Sequence, residues 1–211
     1  MNLYERSLNY LFNHFGKAMP DSVLLRVRYR TVFHEPLHLK NPKTFNEKIQ
    51  WLKLYDRNPE YHAMADKYAV RTYIGRVLGE KYLIPLLGVW QKAEDIDFKS
   101  LPDQFVLKCT HDSQSIVICH DKAKLDKEEA IRRLGEALKI DYSVLGREWA
   151  YHGIKPCIVA EELLTDESGD DLKDYKVFCF NGKPKFIQVD YDRFKGHKRR
   201  LYTVDWELMQ T

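Results

Sequence analysis

The dipeptide Asn181-Gly182 constrains the fold of this chain more than any other short feature. It separates two segments of strand composition, Asp174–Phe180 and residues 185–190. Asn-Gly is the preferred pair for a two-residue turn in which both residues have positive φ, and such a turn joins antiparallel strands. A further strand is predicted over residues 157–163, before an acidic loop at residues 165–171. The last third of the chain therefore predicts antiparallel sheet.

Helix signals dominate the earlier part of the chain. Residues 41–56 carry a capping box, in which Thr44 is followed three residues later by Glu47. Residues 65–79 form the next predicted helix. Residues 126–139 form another, because they again open with a capping-box pair and place apolar residues on one face.

These elements predict an α+β fold. The sequence contains no internal repeat and no low-complexity segment. Strand composition appears at residues 82–90, and a polar connection is expected over residues 94–103. The predicted organisation is a helical N-terminal region (residues 1–80), a smaller α+β subdomain (81–160) and the start of a second α+β subdomain (161–211). The sheets are expected to be largely antiparallel.

Composition describes a globular protein without a nucleic-acid signature. The 211 residues are 44% hydrophobic and 31% charged, which excludes a disordered chain. The 34 basic and 31 acidic residues give a net charge of only +3, and aromatic residues are sparse around the basic runs. We therefore expect no nucleic-acid partner, although a local basic cluster could still bind a phosphorylated ligand.

The cysteines and the apolar runs predict a cytoplasmic protein without a transmembrane segment. Cys109, Cys119, Cys157 and Cys179 form no CxxC pair and no signal-peptide pattern precedes them, so reduced thiols are expected and zinc is not. The longest apolar stretch, residues 82–90, is far too short to cross a bilayer.

An apolar stripe near the N-terminus has two interpretations. At helical spacing it contains Leu3, Leu8, Leu11, Phe12 and Phe15. Such a stripe packs on its own domain or rests on another surface, including a peripheral association with a membrane biosynthetic assembly.

A lysine and a small-residue loop form the clearest candidate ligand site. In the predicted strand Phe105–Cys109, Lys108 points away from the face shared by Phe105, Leu107 and Cys109. An amine on an apolar strand is costly to bury unless an anion meets it. The following loop, residues 110–115, offers backbone N–H groups and two serine hydroxyls, which suit phosphate oxygens. The alternative is an exposed lysine beside an ordinary turn.

Further residues extend this pattern into a resemblance. Lys67 precedes the Lys108 hairpin, Glu161-Glu162 ends a strand, and Asp174-Tyr175-Lys176 begins the next, an order that resembles the ATP-grasp superfamily. More narrowly, from residue 41 onward the chain resembles the TupA-like ATP-grasp proteins of bacterial cell-surface polysaccharide biosynthesis, including capsule and teichuronopeptide. The segments that carry this resemblance are NPKTFNEKIQWLKLYDRNPEYHAMADKYAVRTYI, EKYLIPLLGVW, FVLKCTHDSQSIVICHDK, VAEELL and DYKVFCFNGKPKFIQVD.

The resemblance implies a nucleotide site. It implies that Lys67 and Lys108 reach the phosphates of ATP and that the 110–115 loop folds over them. The loop residues expected at the nucleotide are His111, Ser113, Gln114 and Ser115. The strand end expected to contact adenine and ribose consists of Glu161, Glu162, Leu163 and Leu164. A solvated strand end is the alternative for the two glutamates.

The resemblance also implies catalytic groups in the C-terminal part. Lys176 and Arg193, together with Lys108, are the expected catalytic residues. The basic run at residues 197–200 could hold a carboxylate or an acyl phosphate, or it could be a solvated loop. Asp174 and Lys176 would lie near the nucleotide, or they form a surface ion pair.

Two departures from the family pattern concern ATP and Mg²⁺, the expected cofactors. Gln114 stands where the family usually has glycine in the phosphate loop, and glutamine disfavours positive φ. The acidic and amide residues that hold Mg²⁺ in ATP-grasp enzymes are expected beyond Thr211, so no metal ligand is assigned. The sequence leaves open a fragment, a shortened gene product, or a chain completed by a partner.

The implied activity is an ATP-dependent carboxylate-amine ligase. It would activate a carboxylate as an acyl phosphate and transfer it to a glycan or amino-acid-type substrate. One alternative is a glycosyltransferase of the same pathways, for which Asp190-Tyr191-Asp192 has the spacing of a metal motif. Another is a catalytically degenerate protein that binds ATP without turnover.

Overall fold

The computed structural model describes residues 19–113, 115–165, 172–191 and 196–210. Several sequence predictions lie outside these residues: the apolar stripe at residues 3–15, Gln114, most of the acidic loop and Arg193.

Six α-helices and four 3₁₀ turns lie among the described residues. The helices are α1 (Asp21–Phe33), α2 (Phe45–Tyr55), α3 (Glu60–Ala65), α4 (Ala69–Val77), α5 (Lys127–Ala137) and α6 (Tyr142–Gly146). The 3₁₀ turns are Glu80–Tyr82, Ala93–Asp95, Lys122–Lys124 and Trp149–Tyr151.

The described strands form two sheets. They are β1 (Leu86–Trp90), β2 (Phe105–Cys109), β3 (Ile116–Cys119), β4 (Ile158–Glu162), β5 (Asp174–Phe180), β6 (Lys183–Tyr191) and β7 (Lys198–Thr203). The first sheet has the order β1-β4-β2-β3 and the second has the order β5-β6-β7. All the pairings are antiparallel, which confirms the α+β prediction.

The main core lies on one face of the first sheet. Phe105, Leu107 and Cys109 of β2 are fully buried there and pack with Leu134 of α5. The sequence predicts a polar connection at residues 94–103, but this segment also contributes apolar side chains to the core. Its apolar residues Ile96, Phe98 and Leu101 are buried in this core, which anchors the connection to the sheet.

The described residues form two compact units, divided between Glu162 and Leu163. The first contains all six helices and the first sheet; the second contains the three-stranded sheet. The finer division at residues 80 and 160 stays a prediction.

The Asn181-Gly182 turn forms as predicted. Asn181 has φ 50° and Gly182 has φ 73°, and the turn joins β5 to β6. Positive φ at both turn positions matches the right-handed twist of the paired strands, so this local pattern specified the hairpin without tertiary help.

The four cysteines are free; three are buried and Cys179 is exposed. No helix within the described ranges combines the length and the apolar composition that a bilayer crossing requires.

The capping box at α2 is present, although the helix begins at Phe45. Thr44 accepts from the Glu47 N–H at 3.2 Å, and the Glu47 carboxylate accepts from the Thr44 N–H at 2.9 Å. Glu47 also accepts from the N–H groups of Lys43 and His38 and from His38 Nδ1. These bonds, with the Thr44 and Lys43 N–H groups first, lower the pKa of Glu47 to about 2.

This carboxylate gives a prediction for acid stability. A lowered folded-state pKa adds stability that is complete above the ordinary value of 4.5 and is lost as the pH falls toward about 2. We expect Glu47→Gln to lower Tm by roughly 2–6 °C at neutral pH. The gap to the parent should narrow as the pH falls below 4.5.

Tm measured by circular dichroism, down to the lowest pH at which both proteins unfold cooperatively, checks this. Glu128→Gln is the matched control, because Glu128 is an exposed carboxylate in the first turn of α5. A gap that is constant with pH, or equal for both variants, would contradict the role of Glu47.

Candidate functional site

Lys108 lies on the face of β2 opposite the main core. The strand alternates between buried and partly exposed residues, as its sequence predicts, and Lys108 is one of the partly exposed ones. Its Nζ forms an ion pair with Glu161 of β4. The anion that a half-buried amine requires is therefore supplied, in this state, by the protein itself.

Glu161 is buried and is shared by two cations. It lies opposite Val106 in the β2–β4 register, so its side chain shares a face with Lys108. Only 5% of the residue is exposed. Arg71 of α4 approaches the second carboxylate oxygen at 3.1 Å and donates to the carbonyl of Ile84 at 2.7 Å.

Asp66 sets the position of Lys67. Residues 65–79 were predicted as one helix, but α3 ends at Ala65 and α4 begins at Ala69. The Asp66 carboxylate accepts from the N–H groups of Tyr68 at 2.8 Å and Ala69 at 3.2 Å, so it caps α4 and interrupts the helical pattern. Lys67 consequently lies in the bend between the two helices.

Lys67 is bound to the 110–115 loop at several points. Its backbone N–H donates to the carbonyl of Thr110 at 3.1 Å. Its Nζ donates to the carbonyls of Cys109, at 2.9 Å, and Asp112, and lies 4.0 Å from the Asp112 carboxylate. Burial lowers the pKa of Lys67; Asp112 acts in the opposite direction and the positive charge of Lys108 lowers the pKa further. The positive charges of Lys67 and Lys108 are therefore near enough to interact with each other. We call Lys67, Arg71, Lys108 and Glu161 the basic cluster.

Asp112 organises the 110–115 loop from within. Its Oδ1 accepts from the Ser115 hydroxyl at 2.7 Å and from the Ser115 N–H at 3.4 Å. The Cys109 N–H donates to the Ser115 carbonyl at 3.2 Å and to its hydroxyl at 3.3 Å. Ser115 is thus already engaged, and a nucleotide contact would compete with these bonds.

Both remaining described site residues of the loop contact the segment around α6. His111 is 3% exposed, and its Nε2 donates to the carbonyl of Ile140 at 3.1 Å. Ser113 is exposed, and its hydroxyl contacts that of Tyr142. His111 holds the loop in place, whereas Ser113 lies at the surface where a ligand can reach it.

The end of β4 separates the two glutamates. Glu161 is buried in the basic cluster, whereas Glu162 is exposed and its N–H donates to the carbonyl of Pro85 at 3.2 Å. Leu163 is half-buried and Leu164 is exposed. A solvated strand end therefore describes Glu162 but not Glu161.

Lys176 belongs to a separate cluster in the second unit. It forms ion pairs with Asp174 and, at 2.8 Å, with Asp190, which is 2% exposed. The Asp190 carboxylate also meets Arg199 at 2.7 Å, His197 at 3.2 Å and the Gln188 amide at 2.9 Å. These contacts, led by Arg199 and Lys176, hold the pKa of Asp190 far below its usual range.

The basic run at residues 197–200 is solvent-exposed, as one interpretation expected, but from residue 198 onward it lies in a strand and not in a loop. Lys198–Thr203 forms β7, in which Arg199 lies opposite Asp190. The sequence alone does not show that the buried Asp190 carboxylate pairs with Arg199 of this run, so a loop was one of the two interpretations.

The described residues do not fit a magnesium site. Among them, no group of three or more His, Cys, Asp or Glu side chains could hold a metal ion. Asp190, the most buried carboxylate of the second unit's cluster, already contacts Lys176, His197 and Arg199. The cations of the basic cluster suit polyanionic phosphate, in contrast, so the described residues fit a nucleotide better than its metal.

Sequence reasoning missed Arg71. It lies four residues after Lys67, which is the spacing of neighbours on a helix, but basic pairs at this spacing are common on solvated helices. Its partner Glu161 is 90 positions away in the sequence. Only the tertiary fold, which brings Arg71 to the buried Glu161 carboxylate, distinguishes it from an ordinary surface arginine.

Comparison with family models matches residues 47–211 to the family described as TupA-like ATPgrasp. Curated proteins and solved structures give no match. The matched segment includes the basic cluster, the 110–115 loop and the whole second unit.

Proposed function

Because the chain belongs to the TupA-like ATP-grasp family, we propose that it binds ATP and uses it to activate a carboxylate in cell-surface polysaccharide biosynthesis. The observation that carries the proposal is the convergence of Lys67 and Lys108 beside the 110–115 loop. Two ammonium groups beside a loop with an exposed serine hydroxyl suit the negative charge of a triphosphate.

In the proposed reaction, a carboxylate oxygen attacks the γ-phosphorus of ATP. A C–O–P bond forms, the bond to the ADP oxygen breaks, and ADP leaves. An amine of a glycan or amino-acid-type substrate then attacks the acyl carbon and phosphate departs. Lys67 and Lys108 hold the phosphates and neutralise their charge, so catalysis rests on positioning and electrostatics.

The remaining site residues take the following roles in the proposal. Ser113 is the exposed loop hydroxyl and contacts phosphate. Glu162 contacts the ribose, because Glu161 is already bound by Lys108 and Arg71. The backbone of Leu163 and Leu164 contacts adenine. Gln114 and Arg193 keep the loop and catalytic roles that the sequence predicts. Lys176 acts on the transferred group once a ligand competes with its carboxylate partners.

We place this activity in the cytoplasm, at the periphery of a membrane biosynthetic assembly that makes capsule or teichuronopeptide. The identities of the carboxylate and of the acceptor stay open within the class of glycan and amino-acid-type substrates.

Ligand-dependent thermal unfolding tests the nucleotide part of the proposal. A ligand at about 100 times its Kd stabilises the native state by roughly 2.7 kcal/mol, so ATP with Mg²⁺ should raise Tm by about 5–11 °C. UDP-glucose serves as the competing ligand. A Tm rise with UDP-glucose and none with ATP would favour the glycosyltransferase alternative, and a rise with neither would remove nucleotide binding.

Hydroxylamine trapping tests the chemical step. An acyl phosphate reacts with hydroxylamine to give a hydroxamate, so incubation with ATP, Mg²⁺ and a panel of uronic and amino acids should yield hydroxamate and ADP in equal amounts. ATP binding without hydroxamate or ADP would identify a degenerate binding protein instead.

A further inference from the structure

A cavity lies in the helical part of the first unit. It has a volume of about 510 Å³ and shares no lining residue with the basic cluster. It is lined by Arg26 of α1, by the segment from Leu37 to Lys43, and by Glu47 of α2. Its size is within the range of about 300–1,000 Å³ that is typical of small-molecule sites.

The cavity combines an apolar part with unneutralised cations. Leu37 and Leu39 are buried, whereas Arg26, Lys40 and Lys43 are exposed. Across the described part of the chain, none of these three cations forms an ion pair, and the Arg26 guanidinium donates only to the carbonyl of Ser22, at 3.2 Å. Three positive charges around one concave surface attract an anion from solution.

Among the described residues, the Glu47 carboxylate that lines the cavity forms no ion pair with these three cations, so the lining keeps an excess of positive charge. Glu47 already accepts from the N–H groups of His38 at 3.3 Å, Lys43 at 2.8 Å and Thr44 at 2.9 Å, and from His38 Nδ1 at 2.9 Å. Both of its oxygens are occupied by these donors. The same bonds fix the backbone at His38, Lys43 and Thr44, so the segment that carries the lysines is ordered before any ligand arrives.

We propose that this cavity binds a small organic anion that carries a phosphate or a carboxylate. The anionic group is bound by Arg26, Lys40 and Lys43, and the body of the ligand lies against Leu37 and Leu39. This inference goes beyond the proposed ATP site and does not rest on it. Apart from Glu47, the lining residues precede residue 47, at which the match to the family model begins.

Chemical-shift titration of the full chain tests the proposal. Glucose 1-phosphate, glucuronate and inorganic phosphate are added separately while the backbone amides are followed by ¹H–¹⁵N correlation spectra. Saturable shifts are expected at residues 37–43 with at least one of the two sugar anions. Whichever of the sugar anions binds more tightly identifies the preferred group, and inorganic phosphate should bind less tightly because it lacks a body to contact the leucines.

A matched pair of double variants makes the test specific. Lys40→Gln/Lys43→Gln is expected to weaken binding at least about tenfold, because it removes two charge-assisted contacts. Lys92→Gln/Lys99→Gln makes the same change of charge at exposed lysines outside the cavity and should leave Kd unchanged. Absence of saturable shifts at residues 37–43 with every probe, or an equal loss of affinity in both double variants, would overturn the proposal.

Discussion

Replacing Lys108 with methionine is expected to weaken ATP binding by roughly 10- to 150-fold, because a hydrogen bond to a charged group contributes about 1.5–3 kcal/mol. Methionine keeps the length and the apolar stem of the side chain but removes the charge. The fold should tolerate the change, since Glu161 retains Arg71 as a partner at 3.1 Å. Isothermal titration calorimetry with ATP, with and without Mg²⁺, gives the two dissociation constants.

Two further variants separate the position of Lys108 from its charge. Lys99→Met removes an exposed lysine of the same unit, so its Kd should equal that of the parent. Lys108→Arg keeps the charge but changes the donor geometry, so its affinity should lie between those of the parent and Lys108→Met. Unchanged ATP affinity in a folded Lys108→Met protein would exclude Lys108 from the phosphate site.

Local patterns predicted the elements whose causes are local. The alternation of Phe105–Cys109, the Thr44–Glu47 capping box and the Asn181-Gly182 turn all form as their sequences indicate. Each depends on neighbours within a few residues, so each can be predicted without knowledge of the tertiary fold. The family resemblance is likewise confirmed by the match over residues 47–211.

The prediction of one helix over residues 65–79 is wrong at its start, and the cause is local. The helical pattern continued through residues 65–79, but the Asp66 side chain satisfies the N–H groups of Tyr68 and Ala69 and ends that continuity. The bend brings Lys67 to the carbonyls of Cys109 and Asp112, more than forty positions away. The spacing of apolar residues predicts a continuous helix, but one side chain that accepts from backbone N–H groups can interrupt that helix.

In the candidate site, the face on which Lys108 lies follows from the local alternation of β2, whereas its partner is distant in the sequence. Sequence reasoning proposed that Lys108 meets an anion, and the structure supplies one that was not foreseen, Glu161. The residue was expected to contact ribose or to be solvated. The solvated alternative is wrong, because the register opposite Val106 turns Glu161 toward Arg71 of α4 and buries it. Its contact with ribose stays a prediction.

The buried position of Glu161 gives the largest expected effect on stability. Glu161→Gln leaves Lys108 and Arg71 without their shared counter-charge. Loss of one partner of a fully buried ion pair costs about 3–5 kcal/mol, and partial solvent access reduces this to roughly 2–3 kcal/mol. The Lys108 and Arg71 side chains retain that access, at 23% and 15% exposure. Tm should therefore fall by about 4–12 °C, as measured by differential scanning calorimetry.

A double-mutant cycle distinguishes loss of a counter-charge from simple loss of packing. Lys108→Met in the Glu161→Gln background removes one of the two unneutralised cations, so the double variant should unfold at a higher temperature than Glu161→Gln alone. Glu162→Gln changes the adjacent, exposed carboxylate on the same strand and should alter stability by no more than about 0.5 kcal/mol. If the losses of the two single variants added in the double variant, Glu161 would contribute through packing, and the charge-sharing role of the basic cluster would be wrong.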